Sequence, residues 1–275
     1  MKPFLANIKI VATDIGGTLA RSDGSISNFT VETLRTLQER GIIIVLATGY
    51  SKEITDKFAS QISDKLITII QNGAIVFDGE ALLETNYLNK DIALKVVEFF
   101  ESKGFSPILF SGLDNNCKTY YKRMNKRFSP RKSYIEVSDL NNVLKTDPVE
   151  VSAWEATEDI LTCKEEAEEL FGEEWHVTVS IQKNRSWLEV LNPNAKKANA
   201  LLSIMKRKGI GVDEAIYFGD NYNDVECLEA VKYPIVVSNG LPDVKKLAWK
   251  IALSNDEDGV ALMIRKLLSL NDNNP

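Results

Sequence analysis

Histidine is nearly absent from this sequence: His176 is the only one in 275 residues. It opens a strand-like run, His176 to Ile181, and reads there as a structural residue rather than a catalytic one. Cysteine is scarce too. Cys117, Cys163 and Cys227 stand far apart with no C-x-x-C spacing, so reduced, mostly buried thiols are expected instead of a thiolate metal or redox site. Long apolar runs are missing as well: nothing approaches the ~20 apolar residues of a membrane span, and Lys9 and Asp14 interrupt the N-terminal apolar segment. That segment lacks a small-residue cleavage site after an unbroken apolar region, so no signal peptide and a cytoplasmic location are expected. A positive balance is also lacking. With 33 basic against 39 acidic residues the net charge is −6, which disfavours nucleic acid or an anionic membrane as the main partner. Basic residues around 118 to 132 form a local patch that reads as a solvated or phosphate-attracting surface.

What is present is an ordinary globular composition, 44% apolar and 26% charged, enough for one large core or two modest ones. The first eighty residues alternate strand and helix signals. Ile8 to Thr13 reads as a strand, Val31 to Arg40 as a helix stopped by Gly41, and Ile42 to Thr48 as an unbroken aliphatic strand suited to a parallel sheet covered on both faces. A helix near Lys52 to Ser60 and a strand near Leu66 to Ile70 follow. The same grammar returns late: a helix from Ala198 to Lys208, a strand from Ala215 to Phe218, a helix from Val225 to Val231 and a strand from Pro234 to Val237. Between these halves lie a helix (Ile92 to Lys103), strand-like runs at Pro107 to Phe110, Val149 to Trp154 and His176 to Ile181, and a charged helix from Thr157 to Leu170. The expected architecture is α/β: a doubly wound, parallel, Rossmann-like core sheet from residues 1–82 and 186–275, with an inserted α+β domain at 83–185.

Two motifs carry chemistry. Asp14-Ile15-Gly16-Gly17-Thr18 places a carboxylate and a glycine-rich turn at the end of the first strand, an arrangement that exposes backbone N–H donors to a phosphate. Taken alone it is similar to the phosphate-binding hairpin of sugar kinases. Taken with Gly16 in place of a second Asp, it resembles the nucleophile loop of the haloacid dehalogenase-like phosphatases. The second motif, Gly219-Asp220-Asn221-Tyr222-Asn223-Asp224 after the strand Ala215 to Phe218, sets two carboxylates four residues apart and suits an oxygen-ligand site for Mg²⁺ beside a phosphate; capping of the next helix is its simpler explanation.

Gly-Asp-Asn-x-Asn-Asp after a short strand resembles the fourth motif of the haloacid dehalogenase-like superfamily, in particular its Cof-like branch with a large α+β cap. Other landmarks fall in the family's order: Ala47-Thr48-Gly49, Asn72-Gly73-Ala74, Lys197 before a helix, Asn239-Gly240 and Asp258-Gly259-Val260. The resemblance spans nearly the whole chain and implies a Mg²⁺-dependent phosphatase acting on a small phosphorylated metabolite, such as a sugar phosphate, as a monomer or homodimer. It implies that Asp14 attacks phosphorus, that Thr48 and Lys197 hold the phosphoryl group, and that Gly17, Gly49, Asn72 and Asn223 contact substrate. Lys197 is preferred to Lys196 because the family places its lysine immediately before the helix. It further implies Asp14, the Gly16 backbone carbonyl, Asp220 and Asp224 as the metal set. The insert would choose the substrate, with Arg185 and the Tyr120-Tyr121 pair as candidates, although such a tyrosine pair more often packs in a core.

Gly16 is the departure. In these phosphatases the second Asp is the general acid and base, whose removal typically costs ~10²- to 10⁴-fold in rate. Tyr50 is a second departure, at a position that is often basic in this branch. Four explanations stand open: a leaving group that needs no proton, a proton from another side chain such as one of the cap, a non-catalytic phosphometabolite sensor, or a sporadic or engineered change. Asp23 lies nearby but sits in a Ser-Asp-Gly turn, where capping accounts for it.

Overall fold

The computed structural model describes residue 5 and residues 7–125, 128–171 and 174–270. The elements run β1 (Ile10–Thr13), α1 (Asn28–Glu39), β2 (Ile43–Ala47), α2 (Lys52–Ile62), β3 (Ile67–Ile70), β4 (Ile75–Asp78), β5 (Ala81–Thr85), α3 (Lys90–Ser102), β6 (Ile108–Phe110), β7 (Thr119–Tyr121) and β8 (Ile135–Glu136). Then follow β9 (Glu150–Ala156), α4 (Thr157–Phe171), β10 (His176–Ser180), β11 (Arg185–Leu191), α5 (Lys197–Lys208), β12 (Ala215–Gly219), α6 (Val225–Ala230), β13 (Tyr233–Val237), α7 (Pro242–Lys245), β14 (Lys250–Ala252) and α8 (Gly259–Leu268). None of the described helices is long and apolar enough to cross a membrane.

The chain divides into two compact units, one taking it up to Leu83 and again from Lys197, the other spanning Glu84–Lys196. The expected boundary at 185/186 therefore falls eleven residues early (196 − 185). The reason is β11, which pairs antiparallel with both β9 and β10 over seven and five residues and so belongs to the second sheet. The polar stretch Gln182-Lys183-Asn184 is the turn of a hairpin, not the end of a domain.

In the first unit eight strands pair in the order β14-β13-β12-β1-β2-β3-β4-β5. From β14 to β3 the neighbours are parallel, while β4 runs antiparallel to β3; the sheet is thus not parallel throughout, because the short turn at Gln71–Gly73 cannot make a crossover. Side chains alternate across the sheet. Val11, Ile44, Leu46, Ile216 and Phe218 join a cluster with Leu34 and Leu37 of α1, Phe58 and Ile62 of α2 and Ile264 and Leu267 of α8. Ile10, Ala12, Val45, Ala47 and Tyr217 join the opposite cluster, with Leu201 and Ile204 of α5 and Leu228 of α6. Each such aliphatic side chain, fully buried, stabilises by about 1.5–3 kcal/mol, which is why the uninterrupted apolar strands are sandwiched rather than exposed.

The chain moves from β1 outward to β2 and β3, then returns to β12 on the other side of β1. The switch point of this doubly wound sheet lies between β1 and β12, and the crevice beyond their carboxyl ends is where such sheets bind ligands. In the second unit six strands pair in the order β10-β11-β9-β6-β7-β8, antiparallel except for β7 with β8. Helices α3 and α4 share one apolar cluster with the inward side chains of that sheet, among them Val97, Phe100, Ile160, Val151 and Leu188.

Candidate active site

Asp14 directly follows β1, and its backbone N–H donates to the Phe218 carbonyl at 2.9 Å, tying it to β12 across the switch point. The loop then closes tightly on Ile15, which is fully buried and whose carbonyl accepts from the N–H groups of Thr18, Leu19 and Ala20. Position 17 admits only glycine for two reasons: its φ is +81°, and a Cβ there would meet Asp220 Oδ2 at 2.7 Å. The Thr18 hydroxyl donates to Asp220 Oδ1 at 2.7 Å, joining the two sequence motifs directly. From the far end of the chain Asn239 Nδ2 donates to the Gly17 carbonyl at 2.7 Å. Asn255 donates its N–H to Asn239 and its side-chain amide to the Ala20 carbonyl. The late Asn239 and Asn255 segments thus brace the first loop.

Lys197 is only 3% exposed and donates to Asp14 Oδ1 at 2.8 Å and Asp224 Oδ1 at 2.9 Å. It opens α5, one residue earlier than expected, and it rather than Lys196 reaches Asp14. Asp224 also accepts from the Tyr217 hydroxyl at 2.7 Å and, on its other oxygen, from the N–H groups of Asp220 and Asn221 at 3.0 and 3.2 Å. Four donors saturate the roughly four lone-pair positions of a carboxylate. Asp224 is therefore the hub that fixes Lys197 and the Asp220 turn.

One ligand oxygen from each of Asp14, Asp220 and Asp224 lies within 4.8 Å of the others. Three buried carboxylates against one ammonium leave two uncompensated negative charges (3 − 1) if all ionise. The electrostatics follow. Burial pushes the Asp14 carboxyl up to about 7, with Lys197 opposing the rise and Asp224 adding to it. Burial, then the charges of Asp14 and Asp224, push Asp220 well above the ordinary carboxylate range, offset only in part by the Thr18 hydrogen bond. For Lys197 burial alone would lower the pKa, but the Asp14 and Asp224 charges outweigh it and raise it, so the ammonium persists. Burial and the Asp224 charge keep the Tyr217 phenol protonated as a donor. A buried, oxygen-only donor set with excess negative charge fits a small hard cation such as Mg²⁺.

Beyond β2, the Thr48 hydroxyl accepts from the Tyr50 N–H at 3.1 Å and the Thr48 carbonyl from the Asn72 N–H at 3.0 Å. Gln71 and Asn72 end β3 with φ of +46° and +51°, a left-handed backbone that ordinary side chains rarely adopt. Asn72 Oδ1 accepts from Asn223 Nδ2 at 3.0 Å. Among the described residues the buried side-chain nitrogens of Gln71 and Asn72 have no acceptor, which is unusual for buried amides and leaves two donors for a ligand. Thr48, Gly49, Asn72 and Asn223 thus gather with Asp14, Lys197 and Asp220 in the first unit, at the ends of four adjacent strands.

Other candidates lie elsewhere. Arg185 is in the second unit, stacked 4.0 Å from the Trp154 ring and paired with Glu155 at 3.0 Å. Tyr120 and Tyr121 are buried there, and Tyr121 donates to Glu136. His176 begins β10 opposite Leu191. Of the basic patch, Lys122 pairs with Glu101 and Arg123 with Glu136, while Lys126 and Arg127 lie outside the described residues. Asp23 accepts from Ser25 within its own turn, which holds it below the usual carboxylate range. Cys163 and Cys227 are buried and Cys117 is half-buried, and none of the three is in a disulfide. Sequence reasoning missed Tyr217, Gln71 and the hydroxyl of Thr18. Only Thr18 carried a signal, its place in the Asp14 motif.

Comparison with known proteins identifies the family and the fold. The sequence is 26% identical over 283 aligned residues to the 5-amino-6-(5-phospho-D-ribitylamino)uracil phosphatase YitU of Bacillus subtilis (strain 168), over 98% of this chain and 99% of that one. The fold matches SMU.1108c from Streptococcus mutans UA159 with a TM-score of 0.84 at 24% identity, over 95% of this chain and 99% of that one. It matches a haloacid dehalogenase-like hydrolase from B. subtilis with a TM-score of 0.83 at 23% identity, over 95% and 100%. The family model of the haloacid dehalogenase-like hydrolases covers residues 11–264, both motifs and everything between them, and the chain belongs to that family, in its Cof-like branch.

Proposed function

We propose that this chain is a phosphatase, hydrolysing the phosphoric monoester of a small metabolite such as a sugar phosphate, with Asp14 as nucleophile. The observation that carries the reading is the position of Asp14: at the carboxyl end of β1, bonded to buried Lys197 and grouped with Asp220 and Asp224. Asp14, Asp220 and the Gly16 backbone carbonyl would hold Mg²⁺; Asp224, expected from the sequence to join the metal set, already accepts from four donors and would instead steady that set from behind. When bound, the ion neutralises the phosphate charge that would otherwise repel a carboxylate.

The chain's own groups then have defined tasks. The Asp14 carboxylate attacks phosphorus and the phosphoryl group passes to it, splitting one difficult hydrolysis into two steps. Lys197 opposes protonation of Asp14, orients it and attracts the phosphoryl oxygens. Thr48, the Gly17 and Gly49 backbone, and the amides of Asn72 and Asn223 supply neutral donors around that group. Substrate choice belongs to the second unit, Glu84–Lys196. Membership in a hydrolase family sets the sugar-kinase reading aside.

The test is release of inorganic phosphate by purified protein with Mg²⁺ from acyl, aryl and sugar phosphates. Turnover abolished by Asp14→Asn is expected; turnover indifferent to that change sinks the assignment. One observation favours a second reading, a phosphometabolite sensor: position 16 has no side chain to move a proton. The sensor reading predicts saturable binding of phosphorylated metabolites with no phosphate released from any of the three classes.

A further inference from the structure

The two departures from the family pattern meet in space. Gly16 and Tyr50 are 34 residues apart (50 − 16). Yet a Cβ built on Gly16 would lie 2.6 Å from the Tyr50 hydroxyl oxygen and 3.1 Å from the ring carbon that bears it. Non-bonded atoms do not approach a Cβ that closely, so no side chain can occupy position 16 while this ring stays in place. The Tyr50 hydroxyl fills the space that a side chain at position 16 would enter.

The ring is positioned rather than loose. It stacks on Phe58 of α2 with centroids 6.2 Å apart and planes 13° from parallel, and it packs against the cluster beneath the sheet. Its backbone is pinned at both ends, the N–H donating to the Thr48 hydroxyl and the carbonyl accepting from the Gln71 N–H, each at 3.1 Å. Thr48 and Gln71 both belong to the site, so the loops that carry the phosphate-binding groups also aim this hydroxyl at the nucleophile loop.

We propose that the Tyr50 hydroxyl is the proton donor of the reaction, replacing the carboxylic acid that Gly16 lacks; this rests on the phosphatase reading above. In the first step an Asp14 oxygen bonds to phosphorus, the bond from phosphorus to the leaving oxygen breaks, and the Tyr50 O–H proton moves to that oxygen. In the second, water bonds to the phosphorus of the aspartyl-phosphate, the bond to Asp14 breaks, and the proton of that water passes to the Tyr50 phenolate. Phosphate leaves with both residues restored. Phenols are protonated at neutral pH and are more acidic than aliphatic alcohols, so the transfer to a departing alkoxide runs downhill.

A ring that merely plugs the space above Gly16 would serve equally well as phenylalanine, and this separates the two roles. Tyr50→Phe keeps the stacking on Phe58 and removes only the hydroxyl. Wild type, Tyr50→Phe and Asp14→Asn are assayed with Mg²⁺ on acetyl phosphate, substituted phenyl phosphates and glycerol or sugar phosphates, and the rates are plotted against leaving-group basicity. In kcat/KM, which reports the attack by Asp14, Tyr50→Phe is expected to lose ~10²-fold or more on alkyl phosphates and far less on acetyl and 4-nitrophenyl phosphate, steepening the plot. Equal effects on all leaving groups, or wild-type turnover confined to acyl and aryl phosphates, would overturn the role of Tyr50 while leaving Asp14 as nucleophile. Loss of the wild-type rate advantage over Asp14→Asn on every substrate would instead overturn the phosphatase reading. A second arm uses position 16. Gly16→Asp alone gains nothing on alkyl phosphates because Tyr50 holds the space, whereas Gly16→Asp with Tyr50→Ala exceeds Tyr50→Ala there; a hundredfold gain from Gly16→Asp alone would refute the arrangement.

Discussion

The buried carboxylates are expected to make the stability of the metal-free protein fall as pH rises, opposite to the usual acid denaturation. Asp14 moves from the ordinary 3.8 to about 7 on folding, chiefly through burial. The folded state thus binds this proton more tightly than the unfolded chain. Its contribution is fully present below pH ~4 and is lost as pH climbs toward 7. At about 1.4 kcal/mol per pH unit, a span of roughly three units is worth about 4 kcal/mol. For a unit of this size each kcal/mol moves the melting temperature by about 2–4 °C, so a fall of roughly 10 °C is expected. The scarcity of histidine helps, since the residue type that ordinarily titrates between pH 5 and 8 occurs once in the sequence. Surface carboxylates held low by their partners, such as Glu136 and Asp256, complete their titration below this window. The assay is calorimetric melting in EDTA from pH 4.5 to 8, for wild type and Asp14→Asn. Wild type should lose stability with rising pH, Asp14→Asn should lose much less, and Mg²⁺ should restore the wild type at pH 7.5. A melting temperature that rises or stays flat with pH, or identical slopes for the two proteins, would refute the reasoning.

Lys197→Met removes the only cation that faces Asp14 and Asp224 in the described site and leaves buried carboxylates unpaired; a loss of about 3–5 kcal/mol is expected in urea unfolding at pH 7.5, shrinking at pH 5 where Asp14 is protonated. Tyr217→Phe deletes one of the four donors to Asp224, and chemical denaturation should report a cost of about 1.5–3 kcal/mol, as for a hydrogen bond to a charged group. Gly17→Ala meets both the positive φ and the Asp220 oxygen, so it should destabilise by more than 1 kcal/mol and weaken Mg²⁺ binding in calorimetric titration.

Much of the site was legible because its parts are local. Asp14, Thr48 and Asp220 each end an apolar strand, and strands reveal themselves by run length and flanking turns. Lys197 was legible for the same reason, standing at the start of a periodic helix. The second unit was less so. Only the first four residues of β11 alternate in burial, and the polar Gln182-Lys183-Asn184 before them reads equally well as a hairpin turn or a domain end, so that only the pairing with β9 and β10 decides. The antiparallel turn at Gln71–Gly73 likewise depends on a left-handed backbone at two residues that are not glycine.

By itself the sequence determined the nucleophile loop, the acidic turn, the alternating architecture and the missing side chain at position 16, because each is written in residues a few positions apart. Tertiary structure decided what surrounds them. Tyr217 meets Asp224 because one strand face turns it inward. Asn239 and Asn255 reach the first loop from more than two hundred residues away. Tyr50 faces Gly16 because parallel strands β1 and β2 are neighbours and set their following loops side by side. Contacts of that kind depend on the order of strands in a sheet, which periodicity and turn chemistry along the chain do not encode.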